Sequence, residues 1–282
     1  MENIGLVLEG GGMRGLYTAG VLDVFLNKKI YFPYVIGVSA GACNAASYIS
    51  RQVGRNKKVT INYIGDHRYL SYRNFFKEGS IFGMKFMFDE IPNKLVPFDY
   101  DTYNNSKETF VIVATDCNTG TPVYFYKKNG HDVLNQLKAS SSLPFLSRMV
   151  DIDGMKLLDG GITDSIPLRK SIEDGNKKNV VILTQNKEYR KKPFNGNFIS
   201  RKIYKNYDKV IEAMNNRYKI YNETLDFIEE LESKGQIFVI RPKEPLDVGR
   251  LEKNKTKLEK LFAQGYSDAE DSYSQLEEWI NS

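Results

Sequence analysis

The sequence predicts an α/β protein with a mainly parallel central sheet flanked by helices and followed by a helical C-terminal extension. The first 55 residues alternate strand and helix patterns in the order β-α-β-α, which is typical of a parallel sheet covered by helices. Apolar strand-like runs return between residues 109 and 184. Residues 201–235 then show apolar positions at helical spacing among mixed charges.

The two opening strand–helix units carry clear periodicities. "NIGLVLE" is a short apolar strand, and "RGLYTAGVLDVFLNKK" places Leu16, Ala19, Leu22 and Leu26 at helical spacing. "YVIGVS" is the second strand, and the small residues of "AGACNAASYISRQVG" indicate a helix that we expect to end at Gly54.

The remaining elements are less regular. Residues 66–108 are rich in aromatic side chains and are predicted as helices and loops that cover one end of the sheet. "TFVIVATD", "TPVYFYK", "VDIDGMKLLDGG" and "NVVILTQ" are predicted strands, with a hairpin turn at Asp153-Gly154. "QIFVIRP" is a last strand, and two short helical stretches close the chain. Without repeats or a low-complexity linker, the pattern favours a single domain with an extension.

Composition excludes several classes of protein. The chain has 282 residues, 41% hydrophobic and 27% charged, which is ordinary for a globular protein. A net charge of +5 with interspersed signs and no basic motif argues against nucleic acid as a partner. We expect a cytoplasmic protein, since no apolar run reaches the roughly 20 residues of a membrane span and no targeting segment is recognisable. Cys43 and Cys117 are expected to be buried thiols.

A candidate nucleophile lies in Gly37-Val38-Ser39-Ala40-Gly41. A serine with glycines two residues before and after it, between a strand and a helix, is typical of a sharp turn that presents a hydroxyl. The alternative is a tight turn whose serine only caps the helix. From this pentapeptide alone both interpretations stay open.

The inventory of possible bases is short. The chain has two histidines, His67 and His131, both in polar stretches and neither late enough for a Ser-Asp-His order. A carboxylate can serve as the base instead if it is held within hydrogen-bond reach of the serine. Asp159, at the end of an apolar strand before Gly160 and Gly161, is the best candidate. Its rivals by the same reasoning are Asp116, Asp151, Asp153 and Asp164.

A glycine-rich loop, "LEGGGMRG", opens the first helix. The backbone N–H groups of Gly10, Gly11 and Gly12 are unshielded by side chains, and the helix N-terminus adds positive potential, so the loop suits an oxyanion. Arg14 adds a cation. Gly10, Gly12 and Gly15 also match the dinucleotide fingerprint G-x-G-x-x-G, but the acidic residue that the fingerprint requires at the end of the second strand is replaced by Ser39.

Taken in order, these three segments resemble the patatin-like phospholipases. A G-G-G-x-R-G loop, a G-x-S-x-G about 25 residues later and a D-G-G motif reached through "KASSSLPFL" are similar to that family's pattern. The resemblance covers roughly residues 3–185 and implies a three-layer patatin-like fold, while residues 186–282 are expected to be a mostly helical extension packed on the same domain. The resemblance implies a reaction that uses no cofactor and no metal.

Carried over by position, the resemblance implies a Ser–Asp dyad without histidine. Ser39 is the expected nucleophile in an elbow between Gly37 and Gly41, and Asp159 is the expected general base. The loop of Gly10, Gly11, Gly12 and Arg14 would hold the oxyanion, and Gly160 and Gly161 belong to the aspartate motif. The implied activity is hydrolysis of fatty acyl esters, as a phospholipase A, a lysophospholipase or an esterase.

Other functions stay open at this point. The chain could be a catalytically weak lipid-binding scaffold or a nucleotide-binding protein that uses the glycine loop. The aromatic segment 66–103 could line an acyl-chain channel, act as a lid or simply pack. "RKIYKNYDK" at 201–209 could contact anionic lipid at a membrane surface. Cys43, four residues after Ser39, is expected to pack in the helix core. The sequence does not determine the oligomeric state.

Overall fold

The computed structural model describes residues 3–127 and 132–282. The strands are β1 (Ile4–Leu8), β2 (Tyr34–Val38), β3 (Thr109–Asp116), β4 (Pro122–Tyr126), β5 (Val150–Ile152), β6 (Met155–Asp159), β7 (Lys178–Ile182) and β8 (Ile237–Ile240). The helices are α1 (Gly15–Asn27), α2 (Ala40–Ile49), α3 (Arg55–Ile61), α4 (Tyr72–Glu78), α5 (Tyr100–Asn105), α6 (Val133–Ser140), α7 (Leu168–Glu173), α8 (Asn197–Ile203), α9 (Asp208–Ser233) and α10 (Lys255–Asn281). A π-helical segment spans Phe86–Leu95, and single 3₁₀ turns occupy Gly12–Arg14 and Gly160–Ile162.

All these strands form one sheet in the order β5-β6-β3-β2-β1-β7-β8, with β4 paired to the other edge of β3. The five strands β3, β2, β1, β7 and β8 are mutually parallel, whereas β4, β5 and β6 join through antiparallel pairs. The mainly parallel α/β class predicted from the sequence is therefore confirmed.

The register of β3 brings two strand ends together. β2 runs parallel to β3 and ends with Val38 opposite Val113. β6 runs antiparallel to β3 and ends with Asp159 opposite Ala114, the next residue. Since β4 occupies the other edge of β3, β2 and β6 share one edge and approach each other head-on. Ser39 follows Val38 directly, so the two candidate residues meet at this junction.

Hydrophobic cores lie on both faces of the sheet. Leu6 and Leu8 of β1 pack with α1, α2 and α10 on one face, and Val7 packs with residues of α7 and α9 on the other. This alternation along a single strand is what a sheet buried on both faces requires. The result is a three-layer arrangement in which the C-terminal helices belong to both outer layers.

The C-terminal extension is firmly attached to the first helix. A Cβ on Gly20 of α1 would lie 2.2 Å from the carbonyl oxygen of Phe262, and one on Gly265 of α10 would lie 2.1 Å from that of Tyr17. Only glycine permits this close helix crossing. The hydroxyl of Tyr17 also donates a hydrogen bond to Asp268 at 2.8 Å.

Some predicted boundaries were wrong. The second helix ends at Ile49, and Gly54, at φ +72°, is the N-cap of α3 and does not end α2. The end of the chain forms one helix of 27 residues, not two short ones, because Gly265 is accommodated at the crossing with α1. The predicted hairpin at Asp153-Gly154 is present, with both residues at positive φ. No helix among the described residues is long and apolar enough to cross a membrane.

Candidate active site

Ser39 lies on a strained turn between β2 and α2. Its φ of +54° and ψ of −122° are unfavourable for any residue with a Cβ. The turn is tight enough that a Cβ on Gly37 would lie 2.8 Å from the Ala42 amide and one on Gly41 would lie 2.6 Å from the Leu8 carbonyl. The Ser39 side chain makes no capping hydrogen bond to α2, so the interpretation of Ser39 as a simple cap does not fit.

A second serine fixes the backbone of this turn. The hydroxyl of Ser140, at the end of α6, accepts a hydrogen bond from the Ser39 amide at 2.8 Å and donates one to the Val113 carbonyl at 2.6 Å. Ser140 is fully buried. One hydroxyl thus joins the candidate nucleophile to β3.

Asp159 is a buried carboxylate whose two oxygens have different surroundings. Oδ1 accepts the Gly161 amide at 2.7 Å, whereas Oδ2 has no hydrogen-bond partner of regular geometry in the described part of the chain. Burial raises the pKa of Asp159; the neighbouring Ser39 hydroxyl and then the Arg217 guanidinium oppose this by favouring the charged form. The carboxylate is therefore adjacent to the Ser39 hydroxyl and has a free oxygen.

The residues around Asp159 hold it in place. Its amide donates to the Ser142 carbonyl at 2.8 Å, which links β6 to the same segment that carries Ser140. A Cβ on Gly160 would lie 2.3 Å from the Val113 carbonyl, so the turn after Asp159 can pass over β3 only as glycine. Gly161 supplies the amide that Oδ1 accepts.

The glycine loop lies next to this pair, but its three glycines differ. The Gly10 amide donates to the Ser165 carbonyl at 3.3 Å, so Gly10 is not a free donor as predicted. Its lack of a side chain matters instead, because a Cβ there would lie 3.4 Å from that of Ser39. The amides of Gly11 and Gly12 have no partner within residues 3–127 and 132–282. Gly12 has φ +58° and lies against the Arg250 carbonyl.

The guanidinium of Arg14 has partners other than Ser39. In the orientation of Gln185 that satisfies both groups, the Gln185 amide oxygen accepts from Nη1 of Arg14 at 2.9 Å. Burial lowers the pKa of Arg14, while the nearby carboxylate of Glu9 opposes this shift. Arg14 therefore belongs to the charged surroundings of Glu9, and its predicted place beside an oxyanion gains no support.

An apolar pocket opens at Ser39 and encloses about 1050 Å³, part of it open to solvent. Part of its wall comes from the aromatic segment 66–103, whose contributing residues are Tyr69, Phe82, Met84, Met87, Phe88, Ile91, Pro92 and Phe98. Phe86 and Tyr103 of the same segment pack in the core. The segment therefore combines ordinary packing with a pocket wall.

The other candidate residues lie elsewhere or have other partners. His67 is exposed beside Asp66, and His131 lies outside the described residues. Cys43 packs against the core and also lines the apolar pocket, where burial raises its pKa to about 11. Cys43 and Cys117 are both free thiols.

The rival aspartates are engaged elsewhere. Asp116 accepts the amide of Asn118, and Asp151 pairs with Lys156. Asp164 accepts the hydroxyl of Tyr124, and Asp153 is exposed in the hairpin turn. No group of three or more His, Cys, Asp or Glu side chains suited to a metal occurs in the portion that the structure describes.

Comparison with known proteins identifies the family. The family model described as "Patatin-like phospholipase" matches residues 6–171, a span that contains the glycine loop, Ser39 and Asp159. The chain belongs to the patatin-like phospholipase family. The resemblance noted from the three motifs is thus confirmed. A second model, "Domain of unknown function (DUF6363)", matches residues 207–281, which contain α9, β8 and α10.

Two curated proteins are similar to this chain over most of its length. The chain is 31% identical over 251 residues to "Uncharacterized protein YjjU" of Escherichia coli strain K12, covering 86% of this chain and 69% of that protein. It is 25% identical over 196 residues to "Probable lipid hydrolase 463L" of Invertebrate iridescent virus 6, covering 62% of this chain and 65% of that one.

A solved structure supports the patatin-like fold. The crystal structure of VipD from Legionella pneumophila superposes with a TM-score of 0.52 at 12% identity, covering 96% of this chain and 66% of that one. At this identity the match concerns the fold alone. The chain thus spans about two thirds of the length of VipD and of the viral relative.

Sequence reasoning assigned no role to several residues of this patatin-like site. Ser140 lies in "KASSSLPFL", but three consecutive serines give no sign of which one faces the nucleophile. Arg217 offered a signal: it lies three residues after Met214 and four before Tyr221, on the apolar side of α9, where a cation is unusual. Arg250 lies in an irregular stretch before α10, where the sequence has no periodic pattern that could indicate a role for it.

The link through Ser140 is testable. We expect Ser140→Ala to lower kcat for a soluble ester by about 10- to 100-fold, because the elbow loses the group that holds its amide. Thermal stability should fall too, since the Ser39 amide and Val113 carbonyl lose a buried partner. Esterase kinetics and thermal unfolding measure the two effects. Ser142→Ala is the matched control, because its hydroxyl donates to the carbonyl of Lys138 in the preceding helix α6 and does not contact the turn at Ser39. A normal kcat for Ser140→Ala would contradict this role.

Proposed function

We propose that this protein is a serine hydrolase of carboxylic esters that cleaves fatty acyl lipids through Ser39 and Asp159 and an acyl-enzyme. The observation that carries the proposal is the strained Ser39 beside a buried carboxylate with an unpartnered oxygen. Membership of the patatin-like phospholipase family and similarity to a probable viral lipid hydrolase support hydrolase activity on lipids. Phospholipids, lysophospholipids and simple esters are the candidate substrates.

The chemistry follows from the positions of these groups. Asp159 takes the proton from Ser39 as Oγ attacks the ester carbonyl and forms a tetrahedral oxyanion. The amides of Gly11 and Gly12 donate to that oxyanion. The intermediate collapses, the C–O bond breaks, and Asp159 gives its proton to the departing alcohol. Water then loses a proton to Asp159, attacks the acyl-enzyme and releases the fatty acid, returning the proton to Ser39.

The apolar pocket suits the acyl chain. It begins at Ser39, and its lining is mostly aliphatic and aromatic. We assign it as the acyl channel, with the segment 66–103 as its wall. The same pocket favours turnover of a lipid over the nucleotide-binding alternative, since a nucleotide would place charged phosphates against apolar side chains.

A lipid-binding scaffold without activity is the other function to be separated. Such a scaffold would gain nothing from strain at Ser39 or from a buried carboxylate with a free oxygen, both of which cost stability. These features therefore favour the enzyme.

The dyad is tested by labelling with a fluorophosphonate probe and mass mapping. We expect one adduct on Ser39 in the wild type and none in Ser39→Ala. Asp159→Asn should lower kcat/KM for a soluble ester by about 10² to 10⁴-fold while remaining folded, because only the proton acceptor is lost. A folded Asp159→Asn protein with near-normal activity would refute the dyad.

Activity should depend on the protonation of Asp159. The base acts only as a carboxylate, so kcat/KM should fall tenfold per pH unit below the pKa of Asp159 in the free enzyme. Because burial raises that pKa, the acid limb should lie above the ordinary aspartate range. Arg217→Gln should move the limb to higher pH, since a cation that stabilises the carboxylate is lost. A pH profile with a neutral soluble ester measures this, and a shift to lower pH would contradict it.

We also propose a cytoplasmic protein that contacts membranes peripherally through α8. Phe198, Ile199 and Ile203 of this helix are more than half exposed, beside the exposed Arg201 and Lys202. Exposed apolar side chains flanked by cations are typical of helices that lie in a membrane interface.

Vesicle sedimentation tests this contact. Ser39→Ala protein, used to prevent turnover, should sediment with vesicles of phosphatidylcholine and phosphatidylglycerol. Adding Phe198→Ser and Ile199→Ser should leave it in the supernatant. Val53→Ser, which removes an exposed apolar residue between α2 and α3, should have no effect. Equal sedimentation of all three proteins would exclude α8 as the contact.

A further inference from the structure

A second pocket adjoins the candidate site. It encloses about 1350 Å³, part of it open to solvent, and adjoins the apolar pocket at Leu143, which lines both. Its wall includes Lys191, Arg217 and Arg250, which come from the loop after β7, from α9 and from the loop before α10. We call it the cationic pocket after these three residues.

The cationic pocket is next to Asp159. A Cβ on Gly161 would lie 2.9 Å from Oδ1 of Asp159 and 3.1 Å from Nη2 of Arg217. The side chain of Arg217 therefore ends beside the candidate base. A group bound in this pocket would lie close to an ester carbonyl held at Ser39.

The three cations are not neutralised by close ion pairs, although Arg217 lies beside Asp159 and Lys191 faces Glu9. None of them forms an ion pair in the described part of the chain, and Nε of Arg217 is buried without a hydrogen-bond partner. The neighbouring Arg190, by contrast, pairs with Asp226 and Glu229. Half-buried cations without partners cost stability, so their grouping points to an anion that binds among them.

The positive charges of Lys191, Arg217 and Arg250 disfavour one another, and this repulsion lowers the pKa of Lys191 and of Arg217. Burial, Arg217 and then Arg250 lower the pKa of Lys191 to about 7. Burial and Arg250 lower the pKa of Arg217 to about 10, against the opposing effect of Asp159. The carboxylate of Glu9 also faces Lys191, but it is held by the hydroxyl of Tyr221 and the amide of Thr184. The other groups that face Lys191 are Arg14 and the rings of Tyr189 and Tyr221.

We propose that the cationic pocket binds the phosphate group of an anionic acyl ester, with the acyl chain in the apolar pocket and the carbonyl at Ser39. This assignment rests on the proposed function. Phosphate fits because its oxygens accept from several cations at once, and guanidinium groups bind it through paired N–H donors. Phospholipids and lysophospholipids carry a phosphate on the alcohol side of the ester, which is the side this pocket occupies.

The proposal gives the C-terminal region a role at the site. Arg217 and Arg250 both lie within residues 207–281, the span matched by the domain of unknown function. That region would then select substrates, while the patatin-like part would carry out the hydrolysis.

Calorimetric titration with sn-glycerol 3-phosphate tests the pocket without any hydrolysis. We expect wild-type protein to bind it, and the dissociation constant to rise by about tenfold to a hundredfold in Arg250→Gln and in Arg217→Gln. Lys243→Gln is the matched control. It removes one positive charge, as Arg250→Gln does, but Lys243 is an exposed residue of the same segment and does not line the pocket. If Arg217→Gln fails to fold, Arg250→Gln alone decides.

Proton uptake distinguishes binding in this pocket from binding of phosphate elsewhere on the surface, because only phosphate beside Lys191 changes the pKa of Lys191. A bound phosphate should raise the pKa of Lys191, so binding above pH 7 should take up protons. Titrations in two buffers of different ionisation enthalpy measure the number. Uptake that is lost in Lys191→Gln supports the pocket; wild-type binding without uptake overturns the role of Lys191.

Titration with three ligands distinguishes a lipid head group from free phosphate as the group that the pocket binds. Inorganic phosphate, glycerol 3-phosphate and lysophosphatidate are titrated into Ser39→Ala protein. Affinity that rises from the first to the last supports a lipid head group. Equal affinities support a site for free phosphate and overturn the substrate role. No binding of any of the three overturns the pocket itself.

These outcomes are independent of the dyad. Phosphate binding with no fluorophosphonate adduct on Ser39 would leave the pocket and refute the proposed function. An adduct on Ser39 without phosphate binding would leave the hydrolase and refute the pocket.

Discussion

The geometry of the site depends on the register of one strand, β3. Val113 and Ala114 are consecutive residues, and they receive the ends of two strands that approach from opposite directions, β2 at Val38 and β6 at Asp159. A shift of β6 by one residue would turn Asp159 to the opposite face of the sheet. The segment after α6 secures the same junction, because the Ser140 hydroxyl holds the amide of Ser39 and the Ser142 carbonyl accepts that of Asp159.

The electrostatics of the site come from a different part of the chain. Asp159 is buried, which raises its pKa, and the opposing cations Arg217 and Arg250 come from α9 and from the loop before α10. The two sequence regions therefore have distinct effects. Strand register determines where the carboxylate lies and how deeply it is buried, whereas the cations of the C-terminal region oppose the effect of that burial on its pKa.

Local sequence predicted the strands and helices that position Ser39, because apolar periodicity and glycine spacing act within a few residues. It also predicted which glycines the turns require, such as Gly37 and Gly41. What it could not provide was pairing between distant segments. The engagement of the Gly10 amide by Ser165, the direction of Arg14 and the choice of Ser140 among three serines all depend on contacts across more than 100 residues or between separate loops. Likewise, α10 passes through Gly265 because that glycine fits against α1, a fact of tertiary packing.

Several features that cost stability coincide at this one junction. In the described part of the chain, Ser39 has an unfavourable backbone conformation, one oxygen of Asp159 lacks a hydrogen-bond partner of regular geometry, and the cations Lys191, Arg217 and Arg250 share one pocket without a close ion pair. Each alone is compatible with a structural accident, but folded proteins keep such features where function requires them. A protein that only bound lipid would need the apolar pocket and none of the strain. The strain and the free carboxylate oxygen lie at the hydroxyl of Ser39, and in the binding mode that we propose the cations would hold the charged leaving group. That division argues for turnover of an anionic ester more strongly than any single motif does.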